Sequence, residues 1–301
     1  MRVAVLTCHR LPSFVTWDIP NVPALFADDR QLIAALREQG DTAESVVWSD
    51  ETIDWCDYDL ALLRSTWDYI DDHYGFLAAL EAIDRSPCQL FNPLDAVRWN
   101  SDKAYLFDLA ARGVPIVPTM LVSVADAPTA QEEAVRAGWA RVVLKPMVGA
   151  GAANVRLVST ADITETLAEL ATAHSHQSFL LQPLIESVTS EGEWSFIFID
   201  GAFSHALLKR PAPGDFRAHG IYDGTITPAQ PLPDDLAQAE AICAALPFDL
   251  LYARLDLVRV QNRLAIMELE LIEPMLYFDL APSATWKLVN AIRLRAGGSR
   301  R

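Results

Sequence analysis

A chain of 301 residues with 51% hydrophobic and 21% charged residues has globular composition, and its length predicts two or three subdomains around a shared cleft. The net charge of −16 argues against nucleic acid as a partner, because binding a phosphate backbone needs a basic face. No apolar run reaches membrane-spanning length, and Cys8, Cys56, Cys88 and Cys243 show neither metal-ligand nor disulfide spacing; with no signal-peptide pattern in residues 1–7, a cytoplasmic protein without a membrane partner is expected.

Residues 2–7 read as a buried strand, and residues 28–39 carry Leu32, Ile33, Ala35 and Leu36 at helical spacing before Gly40 stops them. Strands at 46–48 and 60–63 and a helix at 76–83 complete a small open-sheet α/β unit, punctuated by Pro87 and Pro93. A helix from Ser101 carries Lys103, Tyr105, Leu106 and Leu109, and Gly113 to Pro118 then starts an extended segment. Strands at 141–145, 155–158 and 179–182 with a helix at 163–173 form an α+β unit with the look of a flap. The last unit reads as largely antiparallel: strands 194–199 and 202–208 around Asp200-Gly201, strands 251–260 and 264–272 around Gln261-Asn262, and a closing helix at 284–294.

The most informative cluster is Arg254-Leu-Asp256 followed by Glu268-Leu-Glu270 and Glu273-Pro. Glu268 and Glu270 lie two apart, so on a strand they share a face, and two acids on one face of an apolar strand are costly to desolvate unless paired or metal-bound. Asp256, Glu268 and Glu270 therefore predict a Mg²⁺ cage beside a phosphate, the alternative being a salt-bridge network with Arg254 and Arg259. Lys103 and Lys145 would supply counter-charge. Lys145 ends a strand and precedes a loop with Gly149 and Gly151, which lets backbone N–H groups approach oxygens or is simply a turn; it is not a Walker P-loop.

Gln182, Leu184 and Ile185 read as a hinge offering backbone groups to a nucleotide base, or as an ordinary connection, with Glu193 available for ribose hydroxyls. The segment from Lys209 to Arg217 reads as a basic Pro-rich loop suited to an anion, or as a solvated run. His174 and His176 lack a third metal ligand nearby, and His9, His205 and His219 carry no assignment. Thr66-Trp67-Asp68-Tyr69 ends a strand, where ligands of open sheets gather; packed aromatics in a capped turn are the alternative.

Taken together, the order Lys103, Lys145, Gln182, Glu193, Lys209, Arg254, Asp256, Glu268, Glu270 resembles the ATP-grasp superfamily over nearly the whole chain. The resemblance implies an N-terminal open-sheet domain (1–98), a central subdomain (99–183) and a C-terminal subdomain with the metal site (184–301), the last two clamping ATP. It also implies that Lys103, Lys145, Gly149, Gly151, Gln182, Leu184, Ile185 and Glu193 bind the nucleotide and that Asp256, Glu268 and Glu270 hold Mg²⁺. Glu270 stands where many members carry Asn, adding a negative charge to the site.

The blocks Arg64-Ser-Thr-Trp-Asp-Tyr69, Ser204 to Lys209 and Glu268 to Pro274 resemble the glutathione-synthetase-like branch, and more narrowly the cyclo-ligases that act on O-ureido-serine. That implies a small amino-acid-like substrate whose carboxylate is activated as an acyl phosphate, with Arg254 on the transferred phosphate, Lys209 sharing its charge and Arg217 on the substrate carboxylate. An intermolecular carboxylate–amine ligase and a non-catalytic nucleotide sensor are the rivals. Oligomeric state stays open, a homodimer included.

Overall fold

In the computed structural model, which describes every residue except 18, 20, 150, 153, 174–177, 219–222 and 299–301, three sheets follow one another along the chain. The first region holds β1 (Arg2–Thr7), α1 (Val22–Leu25), α2 (Ala27–Glu38), β2 (Thr42–Val47), β3 (Leu60–Ser65), α3 (His73–Asp84), β4 (Gln89–Phe91) and α4 (Leu94–Asn100). Its strands pair in parallel in the order β2-β1-β3-β4. β1 and β3 are almost wholly buried, as the central strands of a helix-covered parallel sheet must be.

The second region holds α5 (Tyr105–Ala111), β5 (Met120–Ser123), α6 (Ala127–Arg136), β6 (Arg141–Pro146), β7 (Arg156–Ser159), α7 (Ile163–Ala173) and β8 (Ser178–Pro183). Its antiparallel sheet, β5-β8-β6-β7, shares a core with α6 and α7 through Val122, Ala130, Leu144, Leu167 and Phe179.

The third holds α8 (Ser187–Ser190), β9 (Glu193–Ile199), β10 (Ala202–Arg210), β11 (Thr225–Ala229), α9 (Pro233–Ala244), β12 (Tyr252–Val260), β13 (Arg263–Glu270) and α10 (Ser283–Gly298). Its antiparallel order is β11-β10-β9-β12-β13. Alternation along β9 serves two cores at once: Trp194, Phe196 and Phe198 join the α5 and α9 side, and Ile197 and Ile199 join the α2 and α10 side. Both expected hairpin turns are present, with positive φ at Asp200 and Gly201 and at Gln261 and Asn262.

β13 is the edge of its sheet, an exposed row of backbone groups in need of partners. Side chains supply them. The Asn100 amide donates to the Leu269 carbonyl at 2.9 Å and its oxygen accepts from the Leu271 N–H at 2.9 Å, while the Tyr105 hydroxyl accepts from the Leu269 N–H at 3.0 Å. Asn92, just before α4, bonds the carbonyls of Tyr252 and Leu271 and the N–H of Leu251. The strand end that carries the acids is thus fixed from the α4–α5 side.

Several expectations change. The helix anticipated from Ser101 begins at Tyr105, so Lys103 lies in the turn before it, its N–H donating to the Met147 carbonyl at 3.0 Å. Lys209 and Arg210 belong to β10 rather than to a loop, and β13 stops at Glu270 instead of Ile272. No helix among the described residues is long and apolar enough to cross a membrane.

Candidate active site

β12 and β13 pair so that Arg254 faces Glu270 and Asp256 faces Glu268, and β10 brings Lys209 across β9 to the same side. Lys209 is only 1% exposed, and its ammonium lies 2.6 Å from Glu193 and 3.0 Å from Asp256. Arg254 donates to both oxygens of Asp256, at 3.1 and 2.9 Å, and also bonds Glu270. Ser195 completes the set with a hydroxyl bond to Asp256. Burial works against charge on Asp256, yet Arg254 and Lys209 hold its carboxyl well below the usual range. Burial likewise opposes the Lys209 charge, but Asp256 and Glu193 outweigh it and hold that ammonium above its ordinary value.

Gly192 makes this approach possible. Its φ is +120°, and a Cβ there would meet the Lys209 carbonyl at 2.8 Å, so only glycine admits β10 against the start of β9 where Glu193 stands. The salt-bridge alternative is therefore half realised: Arg254 joins the acids, whereas Arg259 turns away to Glu191 and Asp235.

Two cavities open on this cluster. The smaller, about 80 Å³, lies between the second and third sheets and is lined by Lys103, Lys145, Gly149, Gln182, Leu184, Ile185 and Glu193, with Val143 and Met267 as apolar walls. The larger, about 680 Å³, is lined by Gly151, Arg254, Glu268, Glu270 and Glu273, with Trp67, Tyr69 and the apolar segment Leu11, Phe14, Val15 and Trp17 opposite. Lys103, Gly149 and Glu268 line both. Lys103 spans the junction, its ammonium 2.7 Å from the Gly149 carbonyl and 3.1 Å from Glu268. Lys145 is enclosed against the Met267 sulfur at 3.2 Å, and burial lowers its pKa.

Gln182 donates its amide to Thr119 at 2.9 Å, while its buried Oε1 has no partner among the described residues, an acceptor beside the smaller cavity. The Leu184 N–H, expected to face a base, donates to the Arg141 carbonyl at 3.0 Å. Arg217, expected at the substrate carboxylate, instead lines the smaller cavity, held by both oxygens of Asp215 at 3.1 and 2.8 Å. His174, His176 and His219 lie outside the described residues. His205 bonds the Leu276 carbonyl through Nε2 at 2.9 Å and faces neither cavity.

The residues missed by sequence reasoning are those that hold the loop after β13 from the first region. Asp28, at the start of α2, accepts the N–H groups of Leu276, Tyr277 and Phe278 at 2.6, 2.9 and 2.9 Å. Buried Arg64 donates to the Pro274 carbonyl at 2.8 Å and lies 3.8 Å from Asp28 and 3.6 Å from Asp29. Arg254 reaches the Met275 carbonyl at 3.2 Å, and the Trp67 indole reaches the Glu273 carbonyl at 3.3 Å. An Asp-Asp pair opening a helix reads from sequence as dipole complementation, which hides this second use.

The donor set suits a hard divalent cation in one respect. Glu268 and Glu270 lie two apart on β13 and both face the larger cavity. Burial pushes Glu270 up to about 7, with the push of Asp256 and Glu268 and against the pull of Arg254, so its one paired cation does not offset its desolvation. In another respect the cage is not assembled. Asp256 is engaged by Ser195, Lys209 and Arg254, and the described residues form no group of three acids, histidines or cysteines at metal-binding distances. Mg²⁺ takes one or two carboxylates and fills its shell with substrate phosphates, which matches Glu268 and Glu270.

Glu273 yields a pH prediction. Burial, with Glu270 adding, pushes its carboxyl up to about 8. A raised carboxyl pKa means that the folded chain keeps a proton which the unfolded chain releases above about 4.5, so stability falls as pH rises between those values and is level beyond. Glu273→Gln should therefore gain roughly 1–3 kcal/mol over the parent at pH 8.5 and almost nothing at pH 4.5. Urea melts of both proteins at the two pH values check this, and a gain independent of pH would contradict it.

Known proteins match this arrangement. A family model described as the prokaryotic glutathione synthetase ATP-grasp domain matches residues 112–269, and the N-terminal domain of D-cycloserine synthetase DcsG matches residues 3–92. The fold and the two joined cavities define an ATP-grasp enzyme, an ATP-dependent ligase that forms C–N bonds. Cycloserine biosynthesis protein DcsG of Streptomyces lavendulae is 33% identical over 288 residues, 88% of this chain and 92% of that protein. The crystal structure of D-cycloserine synthetase DcsG superposes with a TM-score of 0.82 at 29% identity, over 98% of this chain and 100% of that one. D-alanine–D-alanine ligase from Bacillus anthracis, complexed with ATP, shares the fold at a TM-score of 0.69 and 18% identity, over 100% and 98% of the two chains. This chain belongs to the D-cycloserine synthetase family.

Proposed function

We propose that this chain is a cyclo-ligase that uses ATP to activate the carboxylate of O-ureido-D-serine and closes the molecule to D-cycloserine. The observation that supports this most is the shared wall of Lys103, Gly149 and Glu268: a phosphoryl group presented from the smaller cavity arrives directly in the larger one. On this reading units 99–183 and 184–301 close on ATP while 1–98 covers the substrate. Val143 and Met267 enclose the base, the orphan Gln182 Oε1 accepts from its amino group, Leu184 and Ile185 border it, and Glu193 faces the ribose.

The substrate carboxylate attacks the γ-phosphorus and ADP leaves. The ureido nitrogen bonded to the side-chain oxygen then attacks the acyl phosphate, a C–N bond forms, and phosphate departs with the former carboxylate oxygen. Water removes the carbamoyl group as CO₂ and NH₃, so each ring consumes one ATP and one water. Attack within one molecule needs mainly the right conformer, which a close-fitting wall supplies.

Lys103 and Lys145 offset the phosphate charge, and Arg217 joins them rather than the substrate carboxylate. The Arg254 donors are taken by Asp256, Glu270 and the Met275 carbonyl; turned to the transferred phosphoryl group, the guanidinium would free Glu270 and one side of Asp256, while Lys209 still neutralises Asp256 from behind. Asp256, Glu268 and Glu270 would hold Mg²⁺, which draws charge from the phosphoryl oxygens. Gly149 and Gly151 sit on the flap that excludes water from the acyl phosphate.

The test is ADP release with Mg-ATP and O-ureido-D-serine, beside the L-isomer and amino acids with and without a second amine, with products identified by mass. ADP in step with cycloserine from the D-isomer alone is expected. Silence there, with amide formation on addition of an amine, would place the chain among intermolecular ligases.

A further inference from the structure

Of the three acids at the end of β13 that line the larger cavity, two have a cation: Glu268 has Lys103 and Glu270 has Arg254. Glu273 has none. Among the described residues its carboxylate makes no ion pair and no side-chain hydrogen bond. Its backbone is nevertheless held on every side, by Trp67 at its own carbonyl, Arg64 at Pro274, Arg254 at Met275 and Asp28 beyond. An acid drawn partly out of water usually finds a partner, so a half-buried, rigidly mounted acid with no ion-pair partner among the described residues, facing an open cavity, is arranged for a cation that comes with the ligand.

The walls beside it narrow the kind of cation. Trp67 and Tyr69 line the same cavity, and aromatic faces favour an organic ammonium. On the cyclo-ligase reading phosphoryl transfer takes place at the Lys103 and Glu268 end, where the substrate carboxylate would lie, and Glu273 lines the larger cavity but not the smaller. We propose that Glu273, flanked by Trp67 and Tyr69, binds the α-ammonium of the amino-acid substrate and so fixes which substrates reach the phosphoryl group. This rests on the cyclo-ligase reading above. With the carboxylate and the ammonium both anchored, the third substituent can point in only one direction for a given hand, so Glu273 also carries the choice between D and L isomers.

The experiment pairs O-ureido-D-serine with 3-(ureidooxy)propanoate, the same molecule without its amino group, and measures kcat and KM for the parent, Glu273→Gln and Glu273→Asp. The parent should favour the amino substrate by about tenfold or more, the usual scale for a charged hydrogen bond. Glu273→Gln should raise KM for the amino substrate by a similar factor, leave the analogue and the KM for ATP unchanged, and lower the preference for the D-isomer. Glu273→Asp should recover part of the loss. An equal fall with both substrates, or no fall at all, would overturn the assignment, and an unchanged KM for ATP shows that the variant has folded. If the parent itself fails to turn over O-ureido-D-serine, the cyclo-ligase reading falls; if the parent turns it over and Glu273→Gln does not distinguish the two substrates, this inference alone falls.

Discussion

Lys209→Met should lower the free energy of unfolding by about 3–5 kcal/mol, the range found when one member of a buried charge cluster is removed. The side chain is of similar volume, so the loss is electrostatic. Glu193 at 2.6 Å and Asp256 at 3.0 Å would remain desolvated, and Arg254 reaches only the second of them. Urea denaturation at pH 7 measures it. Adding Glu193→Gln to the variant should restore part of the stability, because it removes the acid that would have no ion pair left among the described residues, and that recovery separates a charge effect from a packing defect. A change below about 1 kcal/mol would mean that the cluster is far wetter than its burial indicates.

The second large effect is catalytic. Under the proposed reading, Glu268→Gln at limiting Mg²⁺ should cut turnover by about 10²–10³-fold, the scale for losing one preorganised electrostatic group at a reacting centre. The amide keeps the shape and the Lys103 ammonium can still donate a hydrogen bond to its oxygen, so the folded structure should persist. Raising Mg²⁺ should recover part of the rate, and calorimetric titration of ATP should show weaker binding with Mg²⁺ and little change without it. Unchanged turnover at limiting Mg²⁺ would remove Glu268 from the metal assignment.

Local signals told most where the chain's own period decided the structure. The helix at 163–173 and the turns at Asp200-Gly201 and Gln261-Asn262 were legible because helical spacing and turn chemistry act over a few residues. α4 was not, since seven residues after Pro93 are too short to display a period. α6 buries Ala127, Ala130 and Ala134, a face too small in side chain to stand out from its polar neighbours.

In the site, the acids and lysines were visible as residue types, but their pairing was not. Lys209 read as the start of a loop because a lysine in an apolar strand makes sense only with Glu193 and Asp256 in view, 16 and 47 positions away. Glu273 stands out in the sequence only as part of a motif, because its lack of an ion pair among the described residues is a three-dimensional fact. The wall from Leu11 to Trp17 went unread, although an aperiodic apolar stretch between a strand and a helix is itself a signal of a surface shaped for a ligand.

The Asp28 clamp limits how this molecule can be re-engineered. Exchanging the first 98 residues for those of another ligase would bring in a different α2 and β3 while leaving Leu276, Tyr277 and Phe278 with N–H groups that now have no acceptor, and Pro274 without Arg64. Asp28, Arg64 and residues 273–278 form one inherited cassette that crosses the domain boundary, so a working chimera has to transplant its distant halves together.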